Sequence, residues 1–269
     1  MAGVLAGQPD PHELVRQSIR NGERSWARSF EYYCLKNDVD RELGSDGHVK
    51  SIDEDLSQII PTGYNTSFDF PLKHDNEPVA ADVRAKAERD LARLRAESPA
   101  QKRRQFQKLE AQRSYMKEVP DAFNFRIVGT DNLPTGPAWV LEATPRPGYQ
   151  PQSRYAHMFP YMRGKLWIDK RDVQWVKADA VATDTVSFGF FIARLAKGSH
   201  IILQQTRLPD GDWVPGRIQA RASARMFIFF LHNFEEDITY RDYHKPGAAV
   251  AASRTPLPPH VSRAARAGR

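Results

Sequence analysis

The stretch 163–243 constrains this chain most, because β-favouring runs alternate there with short polar turns. Residues 164–169 and 173–177 are two such runs on either side of a polar connection at 170–172. This pattern is typical of a β-hairpin. A further run at 201–207 continues the alternation, so the stretch predicts an antiparallel meander.

The end of this stretch carries more apolar surface than one covered sheet face requires. Residues 217–225 alternate strictly between small apolar and long polar side chains, and residues 226–231 are then apolar at every position. A strand that buries one face has no need of apolar residues on the other face. The excess predicts a sheet that curves around apolar material or carries a second covering layer.

Helical signals precede and interrupt the strands. Asp10 and Pro11 are an N-cap residue and a proline at the first helical position, and the Asn-Gly pair at 21–22 predicts the end of this short amphipathic helix. Between 79 and 118 the period becomes helical, and Ser-Pro-Ala-Gln at 98–101 restarts the helix with a capping box. The helical arm 79–118 is either a lid or the layer that covers a sheet face.

Period-two patterns fill the remaining segments. They occur at 25–36, 48–60, 123–127 and 139–143, and the proline-rich residues 145–151 predict a surface crossing between two halves of the sheet. Strands with a few helices in this order predict an α+β fold.

The charge of the chain is ordinary for a globular protein. Of its 269 residues 41% are hydrophobic, and 39 basic against 33 acidic residues leave a formal charge of +6. Nucleic-acid-binding proteins usually concentrate their positive charge, whereas the basic clusters here are residues 102–104 and Arg263, Arg266 and Arg269. We therefore expect no nucleic-acid partner. The same clusters allow peripheral contact with an anionic membrane surface, and the sequence has no run long enough to span a bilayer.

The sequence carries no motif that indicates catalysis or metal binding. Cys34 is the single cysteine, so neither an intrachain disulfide nor a cysteine-based zinc site can form. The eight histidines include no pair at the spacing of a helical metal site, and there is no glycine-rich phosphate loop or serine elbow. The carboxylates at 53–55 and 235–237 fit solvated strands, and His200 and His232 fit hydrogen-bonded structural roles. We expect a protein that is not an enzyme, with no catalytic residue, cofactor or metal.

The two ends differ in composition from the rest. Residues 1–9 are expected to be a residual signal-like or disordered segment, since Val-Leu-Ala-Gly at 4–7 resembles the end of a secretory signal. Gln8 stands where a bacterial lipobox has its cysteine, so no lipid anchor is expected. Residues 10–245 are expected to form one domain, and residues 246–269, rich in Ala, Pro, Ser and Arg, a disordered tail.

Four segments carry a family resemblance: Val-Pro-Asp-Ala-Phe at 119–123, Trp-Val-Leu-Glu-Ala-Thr-Pro at 139–145, the hairpin 164–177, and Thr-Tyr-Arg-Asp-Tyr at 239–243. With the order of elements across 11–245, they resemble the LolA/LolB-like superfamily of periplasmic lipoprotein carriers, in particular the outer-membrane lipoprotein-sorting type. The resemblance implies a curved antiparallel sheet that forms an incomplete barrel, covered by the N-terminal helix and the helical arm. It also implies an apolar cavity for acyl chains and a place in the periplasm or cell envelope of a bacterium.

We therefore expect non-enzymatic binding of lipid or of an acylated lipoprotein, as an envelope carrier or sorting protein. Apolar burial contributes roughly 25 cal/mol per Å², so a wide apolar surface can hold an acyl chain without directional chemistry. The candidate lining residues are the large apolar side chains of the predicted strands and of the segment 185–193: Phe30, Tyr32, Trp139, Leu141, Trp167, Trp175, Phe188, Phe190, Phe191, Phe227, Phe229 and Leu231.

Two other interpretations stay open. An interaction module or envelope-stress sensor would use the same sheet to bind an envelope protein partner, and its cavity would be filled by the chain's own side chains. An enzyme acting on a hydrophobic substrate would bring His, Ser and acidic side chains together at the cavity mouth. The charged arm 79–118 departs from the compact carrier pattern, which keeps the first of these interpretations in view.

Overall fold

A computed structural model of the chain describes residues 8–188, 193–226 and 230–247. The helices are α1 (Pro11–Ser29), α2 (Ala81–Ala96), α3 (Pro99–Gln112) and α4 (Val119–Ala122), with 3-10 helices at Ser114–Glu118 and Tyr155–Tyr161. The strands are β1 (Tyr33–Leu43), β2 (Val49–Gly63), β3 (Thr66–His74), β4 (Glu77–Pro78), β5 (Phe123–Leu133), β6 (Gly136–Pro145), β7 (Met162–Asp169), β8 (Trp175–Ala182), β9 (Val186–Phe188), β10 (Ala193–Leu195), β11 (His200–Arg207), β12 (Trp213–Met226) and β13 (Phe230–His244). No helix among these residues is both long and apolar enough to cross a membrane.

The strands form one antiparallel sheet in the order β4-β3-β2-β1-β13-β12-β11-β8-β7-β6-β5. Outside this path, β9 pairs with β10 and β10 pairs with β12. Within the described residues, the edge strands β4 and β5 do not pair with each other, so the sheet stays open. The predicted α+β fold with an incomplete antiparallel barrel is confirmed.

The predicted hairpin at 164–177 is confirmed as β7 and β8. Its turn is held by the Asp169 carboxylate, which accepts hydrogen bonds from the backbone N–H groups of Arg171 at 2.9 Å and Asp172 at 2.7 Å. A carboxylate that bonds the backbone two and three residues ahead stabilises a tight turn. The sequence signal and the turn chemistry therefore agree at this position.

The predicted end of the first helix at 21–22 is wrong, because α1 continues to Ser29 and β1 begins only at Tyr33. The amide of Asn21 donates to the carbonyl oxygens of Asp172 and Val173, both at 2.9 Å. Gly22 is buried at a close approach to Trp175. An Asn-Gly pair otherwise indicates a helix end. Here both residues contact a hairpin about 150 residues away, which explains why the helix continues through them.

The helical arm lies against the sheet. The capping box predicted at the start of α3 is confirmed, since Ser98 and Gln101 bond each other's backbone N–H groups. Along α2, Ala87 and Leu91 pack with Ile60 and Phe70 into a separate small core. Buried Lys102 donates through its ammonium to the carbonyl oxygens of Thr62 at 2.8 Å and Arg95 at 3.1 Å. These contacts fix both helices of the arm to β2 and β3.

The apolar run 226–231 is not one continuous strand. Met226 pairs with Phe230, so β12 ends and β13 begins within the run, and residues 227–229 lie outside the described part. A run that is apolar at every position has no period, so it cannot mark where a strand reverses.

Candidate functional site

The principal core lies between α1, the 3-10 helices, and strands β5 to β8 with β11. Within it is an apolar cavity of about 210 Å³. We call this space the acyl cavity, a label for the largely apolar volume between helix α1 and the sheet. Its lining comes from helix and sheet alike. The lining residues without charge are Ile19, Tyr115, Met116, Val119, Phe123, Phe125, Ala143, Met158, Phe159, Met162, Gly164, Leu166, Trp175, Ala178, Ala180, Ile201 and Leu203, and the charged ones are Arg163, Lys165 and Asp179.

Small residues form the sheet side of the acyl cavity. Ala143 pairs with Gly164, Gly164 with Ala180, and Ala180 with Ile201, so these four lie side by side across four strands. Paired residues of neighbouring strands share a sheet face. At Gly164 a Cβ atom would lie 2.0 Å from the carbonyl oxygen of Asp179. No side chain fits there, and the row leaves space above the sheet.

Large side chains form the opposite walls. The Phe123 and Phe159 rings lie 5.3 Å apart between centroids, and Tyr115 lies 6.2 Å from Phe159. Phe159 and Met158 belong to the 3-10 helix Tyr155–Tyr161, which follows the proline-rich crossing. Aromatic walls facing a floor of small residues leave a gap that the chain's own side chains do not fill.

A buried polar contact holds α1 above the sheet. Gln174 is 1% exposed and donates through its amide to the side-chain oxygen of Gln205 at 2.7 Å. Ser25 of α1 donates its hydroxyl to the Gln174 carbonyl oxygen at 3.3 Å. With the Asn21 contacts, these bonds position α1 and therefore Ile19, which lines the acyl cavity.

A wider groove of about 780 Å³ adjoins the acyl cavity. Tyr115 and Met158 line both spaces, and the groove continues between the end of α1 and α3. Burial raises the pKa of the Tyr115 hydroxyl, which therefore stays neutral at the junction. The acyl cavity thus meets a partly polar space at one end.

The predicted lining residues fall into separate places. Trp175 lines the acyl cavity, and Leu141, fully buried, belongs to the same core. Trp139 packs against that core, with the Lys170 ammonium 4.0 Å from its ring centroid. Phe30 lines the wider groove instead. The structure therefore brings three of these aromatic or aliphatic residues to one core.

Two other predicted residues lie away from the acyl cavity. The Tyr32 hydroxyl lies 2.6 Å from an Asp210 carboxylate oxygen and 2.7 Å from one of Asp212. The hydrogen bond from Tyr32 first, and then those from the backbone N–H of Asp212 and from Lys245, hold the pKa of Asp210 below its ordinary value, against the opposing effect of burial. Trp167 packs in another cluster and donates its indole N–H to Asp131 at 3.1 Å. Both side chains have polar partners where they stand.

The remaining candidates lie in or beside the gaps of the structure. Phe190, Phe191, Phe227 and Phe229 are outside the described residues. For Phe188 and Leu231 the backbone is described, in β9 and β13. They remain predictions.

The lining residues that the sequence did not single out include Phe123, Phe125, Met158, Phe159 and Met162. The alternation of Phe123 and Phe125 was a usable signal, since both lie on one strand face. The segment Tyr155–Tyr161 carries no period and contains Pro160, so its position could not be predicted.

The acyl cavity is poor in groups for chemistry. Among the described residues that line it there is neither histidine nor serine, and its charged residues are Arg163, Lys165 and one carboxylate, Asp179. That carboxylate lies 2.7 Å from a ring nitrogen of His200, which agrees with the predicted structural role of this histidine. Elsewhere, ligand atoms of the exposed residues Asp53, His74 and Asp75 lie within 4.8 Å of one another. Exposed groups of this kind are common on protein surfaces.

Comparison with known proteins gives matches among solved structures alone. No family model matches the chain, and no curated protein matches it. A DUF1329 family protein from Desulfovibrio piger has 11% identity and a TM-score of 0.32, over 90% of this chain and 95% of that one. A LolA superfamily protein from Nitrosomonas europaea has 10% identity and a TM-score of 0.32, over 90% and 96%.

A domain of an outer-membrane lipoprotein-sorting protein from Vibrio parahaemolyticus has 9% identity and a TM-score of 0.30, over 87% of this chain and 94% of that one. The solved structures that this chain is similar to thus include a LolA superfamily protein and a domain of an outer-membrane lipoprotein-sorting protein.

Proposed function

We propose that this protein binds the acyl chain of a lipid or of an acylated lipoprotein in the acyl cavity, without catalysis, as a carrier or sorting protein of the bacterial periplasm or cell envelope. The observation that carries the proposal is an apolar cavity of about 210 Å³ between aromatic walls and a floor of small residues. Apolar cavities of this kind stay dry and take up apolar ligands.

Size and access agree with an acyl chain as the ligand. The cavity is smaller than the roughly 300–1,000 Å³ of pockets that enclose a whole drug-sized molecule. It therefore suits a flexible chain whose remaining part lies in an adjoining space. The wider groove that shares Tyr115 and Met158 with the cavity offers such a space.

The two alternative functions predict other arrangements. A module that bound protein partners through a solid sheet would have this space filled by its own side chains. An enzyme would have a set of His, Ser and acidic groups at the cavity, whereas the described lining residues include neither histidine nor serine, and their charged members are Arg163, Lys165 and Asp179. Both observations favour the carrier over these alternatives.

The test is to fill the floor of the cavity. Ala180 lines it, and Val181, the next residue of β8, faces the other side of the sheet. We expect Ala180→Phe to lose binding of a neutral apolar dye, N-phenyl-naphthylamine, and of a lysophospholipid, while Val181→Phe keeps both. Fluorescence titration and native mass spectrometry measure the two ligands. Equal binding by Ala180→Phe and the unmodified protein would show that the ligand lies elsewhere.

A further inference from the structure

A further groove adjoins the acyl cavity on the side of α1. It has a volume of about 590 Å³ and lies between α1 and residues 117–120. We call it the basic groove because cationic side chains dominate its lining, which consists of Arg16, Ile19, Arg20, Glu23, Arg24, Lys117 and Pro120.

The cations of the basic groove come mainly from one helix face. Arg16, Arg20 and Arg24 follow each other at four-residue intervals along α1, a spacing that places them in one row. Lys117 approaches from the 3-10 helix Ser114–Glu118. Four cationic side chains therefore line the groove, with Glu23 as the one anionic residue of its lining.

The positive charge is only partly neutralised within the protein. Glu13 lies 3.3 Å from Arg16 and 3.0 Å from Arg20. Glu23 forms an ion pair with Arg113 at 3.2 Å, so its negative charge is balanced by Arg113 and not by the cations of the groove.

The other two cations are free to meet a ligand. Arg24 donates to the side-chain oxygen of Asn21, which is neutral. In the described part of the chain, neither Arg24 nor Lys117 forms an ion pair with a carboxylate. Both side chains are exposed. They supply the positive charge that an incoming anion would meet.

The basic groove adjoins the acyl cavity. Ile19 lines both spaces, and the neighbouring residues Val119 and Pro120 line the cavity and the groove respectively. One amphiphilic molecule can therefore place an apolar chain on one side of Ile19 and a polar head on the other. Arginine is suited to a phosphate head, because its planar guanidinium group donates two parallel hydrogen bonds to phosphate oxygens.

We propose that the basic groove binds the anionic phosphate of a lipid head group while the acyl chain of the same lipid occupies the acyl cavity. This inference rests on the proposed function and narrows it to anionic phospholipids. Zwitterionic lipids bind with the same chain contacts but lose part of the attraction, because their own cationic group opposes the arginines.

The experiment compares lysophosphatidylglycerol with lysophosphatidylcholine of the same acyl length, each displacing N-phenyl-naphthylamine from the full chain at low salt. We expect the anionic lipid to bind about tenfold more tightly, the scale of one or two partly screened ion pairs. The groove variant is Arg24→Gln/Lys117→Gln. The matched control is Lys86→Gln/Arg89→Gln, which removes the same charge from exposed positions of α2.

The groove variant should lose the preference for the anionic lipid and keep the affinity for the dye, while the control keeps both. Salt near 1 M should reduce the preference in the unmodified protein. Equal affinities for the two lipids, with dye binding retained, would overturn the head-group assignment and leave the proposed function standing. If the unmodified protein bound neither the dye nor either lipid, both the head-group assignment and the proposed function would be overturned. If inorganic phosphate bound as tightly as the anionic lipid, the groove would be a site for free phosphate that gains nothing from an acyl chain. That result would also overturn the inference.

Discussion

Replacing Gly22 by alanine tests whether α1 and Trp175 build one wall of the acyl cavity. Glycine in a helix interior is less favourable than alanine by about 0.8–1 kcal/mol, so helix propensity alone predicts stabilisation. Packing predicts the opposite. A Cβ atom at position 22 would lie 2.5 Å from the indole nitrogen of Trp175 and 2.9 Å from its neighbouring ring carbon.

Separations this short force the indole to move. Extra volume in a packed core costs about 1–3 kcal/mol, which exceeds the gain in helix propensity. We therefore expect Gly22→Ala to lower the free energy of unfolding by about 1 kcal/mol. Because Trp175 also lines the acyl cavity, the displaced ring should weaken binding of N-phenyl-naphthylamine as well.

A double-mutant cycle with Trp175→Leu isolates the contact. Without the indole, Gly22→Ala should regain its helix-propensity benefit and stabilise the protein by about 1 kcal/mol. The expected coupling of about 2 kcal/mol lies within the range for residues in contact. Urea unfolding followed by far-UV circular dichroism measures each variant. If Gly22→Ala stabilised the protein in both backgrounds, α1 would not approach Trp175 and the described wall would be wrong.

Two further predictions concern charge. Burial first, and then the charges of Asp38 and Asp40, raise the pKa of Glu236 above its ordinary value of 4.5. The folded state then binds this proton more tightly than the unfolded state, so the ionised group lowers stability above the folded pKa. We expect Glu236→Gln to raise the melting temperature at pH 7 by about 1–2 °C and to lose this advantage below roughly pH 4. The control Glu235→Gln loses an ion pair with Arg221 and should not raise the melting temperature. Equal increases for Glu236→Gln at pH 7 and below pH 4 would refute the assignment of the raised pKa. Lys102→Met should lower the free energy of unfolding by about 1–3 kcal/mol, because two backbone carbonyl groups lose their buried donor. The control Lys108→Met, at an exposed position of the same helix, should change the free energy of unfolding by less than about 0.5 kcal/mol. Urea unfolding measures both variants.

Much of the fold could be predicted from local periods. The hairpin of β7 and β8 and the capping box at Ser98 follow from residues within a few positions of each other. The length of α1 could not be predicted, because Asn21 and Gly22 are satisfied by Asp172, Val173 and Trp175, far away in sequence.

The candidate site was harder to predict, since it depends on which sheet face each side chain occupies. Trp167 and Trp175 flank the same turn, yet Trp175 joins the core under α1 and Trp167 joins another cluster with Trp213. The register between β7 and β8 shifts at Trp167 and Ile168. A one-residue irregularity exchanges the faces of a strand, and composition alone does not reveal it. Tyr32 shows a second limit, because its partners Asp210 and Asp212 are about 180 residues away.

If the acyl cavity binds a ligand as proposed, filling it should exchange ligand binding for stability. Unfilled space in a core lowers stability by up to roughly 24 cal/mol per Å³, so filling part of the 210 Å³ here should stabilise the fold. A phenyl ring at position 180 should fill part of this space, so Ala180→Phe should raise the melting temperature while it abolishes ligand binding. If the space were only a packing defect, Ala180→Phe would raise the melting temperature and leave ligand binding unchanged. If it is a binding cavity, the same substitution should raise the melting temperature and abolish binding.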